Sequence, residues 1–129
     1  MSSPPRPDLY AHRHAISVSF PELVDELRSL LGVGLVAYVA SLDKTETVDD
    51  WTKGKNIPSN GSVESRLRLT LEVTKAIADV EGPRVAQAWF QGLNTKLDDR
   101  SAARLIREGD LDEIRPAVVG AERAFLAGV

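Results

Sequence analysis

The chain has no cysteine, which removes disulfides, thiolate nucleophiles and cysteine-bearing zinc sites at once. Histidine is nearly as scarce: His12 and His14 are the two, set either side of Arg13. No carboxylate or cysteine stands beside them, so they read as tail histidines and no metal site is expected. No apolar run approaches ~18 residues, the length a membrane-spanning helix needs. The opening Met-Ser-Ser-Pro-Pro-Arg-Pro has no hydrophobic stretch of the signal-peptide kind, so a cytoplasmic, soluble protein away from membranes is expected. A basic excess is missing too. Net charge is −3; residues 1–60 carry 6 basic and 8 acidic side chains, and residues 61–129 carry 10 and 11. Neither half is the basic body of a strong nonspecific DNA binder.

Catalytic constellations are also lacking. No serine sits in a nucleophile-elbow setting. Gly32-Val33-Gly34 lacks the third glycine of a phosphate-cradling loop and any strand before it. The pairs Asp49-Asp50 and Asp98-Asp99 are adjacent in sequence, and adjacent residues on a helix point some 100° apart, so each reads as solvated surface. No catalytic residue and no cofactor is expected, and the chain reads as a non-enzyme.

What is present is helical patterning in a chain of 129 residues, 43% hydrophobic and 27% charged. Three prolines in the first seven residues suggest a flexible arm over residues 1–18. Ser19 and Glu22 make a capping-box start, after which Leu23, Val24, Leu27, Leu30 and Leu31 recur on one helical face until Gly32 and Gly34. A short helix is expected over Leu35–Leu42 and a third from about Thr45 to Thr52, with Val48 and Trp51 inward. Ser59-Asn60-Gly61 is a joint. The stretch Ser62–Val80 then carries an apolar stripe too wide for a mostly wetted helix, which marks it as a central strut. Pro83 opens a shorter helix with Val85, Ala88, Trp89 and Leu93 inward. Ser101 caps a helix that Gly109 ends. Ile114, Val118, Ala121, Phe125 and Leu126 supply the face of the last helix, whose early Pro116 predicts a kink if the helix starts before Asp112. The expected fold is all-α. A helix-turn-helix bundle over residues 19–60 is joined by the long helix to a small C-terminal helical domain over 61–129.

Val48, Trp51, Gly54 and Pro58 stand at the spacing seen at the end of Xre-type helix-turn-helix domains. The candidate DNA-contacting residues are Lys44, Thr45 and Thr47 at the start of the third helix, with Lys53 and Lys55 after it. Arg66 and Arg68 are candidates for backbone contacts, while Glu46, Asp49 and Asp50 would repel phosphate. In the second half, Trp89, Asn94, Leu97, Arg104-Leu105-Ile106, Gly109 and the helix ending Phe125-Leu126 resemble the toxin-binding domain of the Xre/MbcA/ParS antitoxin family. The resemblance covers about residues 20–129. Two places depart from it: Thr95 and Ala102 stand where the family often has proline.

The resemblance implies an antitoxin-like regulator that blocks a RES-domain toxin, itself a consumer of NAD, and represses its own promoter as a homodimer. The expected partner-binding residues are Phe90, Asn94, Arg100, Arg104, Arg107 and Phe125. Phe90 and Trp89 are adjacent, so both cannot face one core. Arg100, Arg104 and Arg107 form a basic line suited to an acidic partner or a second subunit. Two alternatives stay open: a stand-alone, phage-type DNA-binding regulator, and a protein-binding module whose helix-turn-helix is structural.

Overall fold

The computed structural model describes residues 6–128 and is all-α, with eight helices and one two-stranded ribbon among them. No helix is long and apolar enough to cross a membrane among the described residues. The helices are α1 (Pro7–Ser17), α2 (Phe20–Leu31), α3 (Val33–Val39), α4 (Glu46–Thr52), α5 (Gly61–Glu81), α6 (Pro83–Gln91), α7 (Ala102–Glu108) and α8 (Leu111–Leu126).

From Pro7 onward the expected arm is a helix, which corrects the flexible reading there; residues 1–5 lie outside the described residues. Pro7 occupies the first turn, where its missing N–H costs nothing and its fixed φ suits the helix. Ala11 and Ala15 are one turn apart and buried, and the small side chains let the α1 backbone approach α5 closely. Arg68 on α5 completes the docking. Its Nη1 donates to Ala15 O at 2.9 Å and Val18 O at 2.8 Å, satisfying carbonyls that the end of α1 leaves open.

The other helix boundaries follow local chemistry. Ser19 Oγ accepts from the Glu22 N–H at 3.3 Å, closing the start of α2. Gly32 (φ 87°) ends α2 in a backbone conformation that favours glycine. Gly34, expected to share that role, lies inside α3, so α3 starts two residues earlier than the apolar pattern suggests. Asn60 caps α5 through Ser62 N at 2.8 Å, Ser101 caps α7 through Arg104 N at 3.0 Å, and Asp110 Oδ1 caps α8 through Asp112 N and Glu113 N. Pro116 lies inside α8, whose start at Leu111 is earlier than the Asp112 boundary.

α5 is the strut. Leu67, Leu69, Leu71, Val73, Ala76 and Ile77 are buried on several sides of it, because α1, α2, α6, α7 and α8 all pack against it. Its buried Thr70 and Thr74 hydroxyls donate one turn back along the helix, to Arg66 O at 2.8 Å and Thr70 O at 2.6 Å, so neither is stranded. One hydrophobic cluster joins Leu27 and Val48 of the first half to Phe90, Ile106 and Val118 of the second. Between α6 and α7 the chain forms a ribbon, β1 (Leu93–Asn94) and β2 (Arg100–Ser101). Leu93 pairs with Ser101 and Asn94 with Arg100 around a single 3₁₀ turn at Thr95–Leu97. The turn is closed by Asp98 and Asp99, both at positive φ and both exposed.

Candidate partner-binding site

The adjacent aromatics of α6 divide their roles. Phe90 is 0% exposed and belongs to the central core. Trp89 is half-buried at the surface, its ring 6.4 Å from that of Phe125 near the end of α8. Phe90 is therefore corrected from partner contact to core, and Trp89 takes the outward place. Phe125 remains 38% exposed. Just beyond α6, Leu93 is 80% exposed, since the ribbon fixes its backbone while no element covers its side chain. Leu126, next to Phe125, shares a cleft wall with Val80 at the end of α5. The ends of α5, α6 and α8 thus present apolar and aromatic side chains to solvent. Trp89 and Phe125 are neighbours there, and Val80 and Leu126 line a common cleft.

The basic line splits in the same way. Arg107 is engaged inside the fold: Nη1 donates to Tyr38 O at 3.0 Å and the guanidinium lies 4.5 Å from the centre of the Tyr38 ring. This ties α7 to the end of α3, which corrects its assignment to a partner. Asn94 is likewise occupied, its Oδ1 accepting from Lys96 N at 2.9 Å to start the 3₁₀ turn. Arg104 and Arg100 are exposed. Arg104 Nε donates to Glu108 at 3.1 Å, and the shallow cleft both arginines line also holds Glu108, Asp110 and Glu113. The basic charge there is answered by acids of the same chain.

On α4, Val48 and Trp51 are buried, with Trp51 edge-on to Phe20 at 5.4 Å and its Nε1 donating to Asn56 O at 2.8 Å. Lys44, Thr45, Lys53 and Lys55 are exposed and Thr47 half-buried. The lysines stand at opposite ends of α4, about 10 Å apart for seven residues at 1.5 Å each. Between them lie Glu46, Asp49 and Asp50. Asp49 accepts from Arg28 Nη1 at 2.7 Å, and that bond is the main reason the Arg28 pKa stands above its ordinary value. Arg66 and Arg68, expected to reach outward, are structural. Arg68 closes α1, and Arg66 donates to Ile106 O and, at 2.8 Å, to Gly109 O beyond the end of α7.

No family model, no curated protein and no solved structure matches the chain.

A second, charged feature lies where α1 crosses α5 and α8. His12 Nδ1 stands 2.7 Å from Glu72 Oε1, and Arg115 Nη2 donates to the same oxygen at 2.6 Å. Asp8 meets Arg6 at 2.8 Å and Arg123 at 3.1 Å. The Arg6 hydrogen bond holds its carboxyl below the usual aspartate value. His14 and Lys75 both reach Glu26, at 2.6 and 3.8 Å. The two histidines are thus docking residues of a helix. Glu122 differs from these carboxylates. It is 1% exposed, and its Oε2 has no hydrogen-bond partner among the described residues. Burial, with help from the charges of Asp8 and Glu72 and against that of Arg123, pushes its pKa up to about 7. No group of three metal-ligating side chains gathers among the described residues.

Proposed function

We propose that this chain is a protein-binding helical module of antitoxin type, which holds its partner against the ends of α5, α6 and α8. The observation that carries the reading is the Trp89–Phe125 pair at the surface, with Leu93, four residues after Trp89 in the chain, 80% exposed. Large apolar side chains held in place by rigid elements lose little freedom on binding and bury much area. The partner implied by the likeness of Trp89, Asn94, Leu97 and Gly109 to the Xre/MbcA/ParS pattern is a RES-domain toxin, bound by a homodimer. Arg104 and Arg100 stand outside the apolar centre, where charge steers encounter more than it adds affinity. Co-expression with the product of an adjoining RES-domain reading frame tests the reading. A joint peak in size-exclusion chromatography with light scattering, lost on Leu93→Asp with Phe125→Ser, supports it. An undiminished complex in the double variant overturns it.

A second reading, a DNA-binding regulator, is favoured by one observation. Val48 and Trp51 are buried while Lys44 and Thr45 are exposed at the start of α4, the arrangement a recognition helix needs. The acids on α4 make such contact weak for a monomer, so two copies would have to share the duplex.

A further inference from the structure

Residues 53–60 join α4 to α5 and belong to no helix or strand. The chain has three asparagines, Asn56, Asn60 and Asn94. Asn56 precedes Ile57 and Asn94 precedes Thr95, whose branched side chains stiffen and crowd the peptide nitrogen that follows each amide. Asn60 precedes Gly61, which has no side chain. Both residues of this pair are exposed, and no other part of the described chain comes within 4 Å of where a Gly61 Cβ would stand. Gly61 is also the first residue of α5, so its N–H has no acceptor within the helix. Among the described residues the Asn60 side chain makes one hydrogen bond, accepting from Ser62 N at 2.8 Å. From an unhindered, uncommitted peptide nitrogen next to a lightly held amide, we propose that Asn60 is a site of spontaneous deamidation, with water as the one co-reactant.

The step balances without an enzyme. Gly61 N loses its proton and attacks Asn60 Cγ, closing a cyclic imide as the Cγ–Nδ2 bond breaks and ammonia leaves. Water then opens the ring. Breaking the bond from Gly61 N to the side-chain carbonyl leaves aspartate at position 60. Breaking the bond to the main-chain carbonyl leaves iso-aspartate, in which the chain runs through the former side chain. Asn60 stands at ψ 115°, so the ring closes only when that bond turns and the Ser62 hydrogen bond opens. Helix ends fray readily, and the exposed joint can turn with the bond. The fold therefore slows the reaction without blocking it. The two products act differently on α5. Aspartate caps a helix as well as asparagine does, and its charge suits the positive end of the helix. Iso-aspartate lengthens the backbone by a methylene and gives up the cap, so the first turn of the strut loosens. Either product takes the net charge one unit below the −3 of the unmodified chain. The site does not depend on the partner reading.

Ageing the full chain in mildly alkaline buffer, followed by peptide mapping and mass spectrometry, tests the site. Fragmentation should place a gain of one mass unit at Asn60, at least tenfold ahead of Asn56 and Asn94, with aspartate and iso-aspartate forms resolved by chromatography. The rate should climb with pH, because the attacking nitrogen must lose its proton. Gly61→Ala fits the open space and keeps the asparagine, and it should slow the gain tenfold or more. Asn60→Ser keeps a capping side chain and should abolish the gain in that peptide. Circular dichroism of both variants checks that the helices are intact. A urea-unfolded sample aged in parallel gives the rate of the unconstrained chain. An Asn60 that keeps its amide in the folded protein long after the unfolded sample has reacted would overturn the assignment. So would Asn56 or Asn94 reacting first, or a Gly61→Ala rate equal to wild type.

Discussion

His12 on α1 and Glu72 on α5 meet at 2.7 Å across sixty residues of chain, and Arg115 of α8 meets them both. Three helices are joined at that one point, and α1 is part of the folded body because of it and of the buried Ala11 and Ala15. Removing residues 1–18 should therefore lower stability by several kcal/mol, since it exposes the α5 face under α1 and strips Glu72 of one partner. Urea denaturation followed by circular dichroism measures this. An unchanged midpoint and slope would show that α1 is dispensable. His12→Ala alone should cost only about 1 kcal/mol, because Arg115 remains on Glu72, yet it should speed hydrogen exchange in residues 7–17.

Glu122 sets a second expectation with a definite sign. Its carboxyl is raised from 4.5 to about 7 on folding, so between those values the native state binds more protons than the unfolded one. Stability must then fall as pH rises through that window. Glu122→Gln removes the penalty. It should stabilise the protein by about 2 kcal/mol at pH 8, less than the full shift because the amide is itself a buried polar group, and by little at pH 4. Thermal unfolding at the two pH values decides the matter. An equal effect at both would mean that the group does not titrate in this window.

The elements legible in the sequence are those whose causes are local. Ser19 and Ser101 cap the helices they precede, and the stripe along α5 identifies the strut. α1 was hidden because its buried face is two alanines, which give almost no hydrophobic periodicity, and because Glu72 and Arg68, which dock it onto α5, lie more than fifty residues from His12 and Ala15 in the chain. Pro7 reads as a helix breaker when it is a first-turn residue. Trp89 and Phe90 lie only 100° apart on α6, so which one faces inward depends on how α6 rolls against its neighbours. Glu122 left a readable trace: Val118, Ala121, Glu122 and Phe125 follow the i, i+3, i+4, i+7 pattern, which puts a carboxylate on the inward face.

The arginines should separate cleanly by role. Arg66→Ala leaves Ile106 and Gly109 carbonyls without their donor and should cost about 1–3 kcal/mol. Arg107→Glu loses the Tyr38 contacts and should cost about 1–2 kcal/mol. Arg104→Glu gives up only an exposed pair with Glu108 and should stay within about 0.5 kcal/mol of wild type. Chemical denaturation of the three variants checks the order. Arg104 is consequently the sound probe of partner steering, as its loss leaves the fold intact.

For DNA, replacing Lys53 and Lys55 with Ala should weaken binding alike across sequences and flatten its salt dependence, as loss of phosphate contacts does. Thr47→Ala should change sequence preference more than affinity. Fluorescence anisotropy with the chain's own promoter at several salt concentrations measures both. Binding unaltered by all three substitutions would show that α4 is not the reading helix and leave the protein-binding role alone.

Phe90 and Leu93 provide the sharpest test of the partner surface, because they stand three residues apart with opposite exposures of 0% and 80%. Phe90→Ala opens a hole in the shared core and should cost about 3–5 kcal/mol, a large part of the ~5–15 kcal/mol that holds a domain folded. Any partner binding lost with it reports only on folding. Leu93→Ser removes a side chain that already faces water, so stability should change by less than about 0.5 kcal/mol. If the ends of α5, α6 and α8 hold a protein, that same substitution should weaken the complex tenfold or more, mainly by faster dissociation. Surface plasmon resonance beside thermal unfolding separates the two effects. A Leu93→Ser variant with wild-type melting temperature and wild-type dissociation rate would move the interface away from this surface.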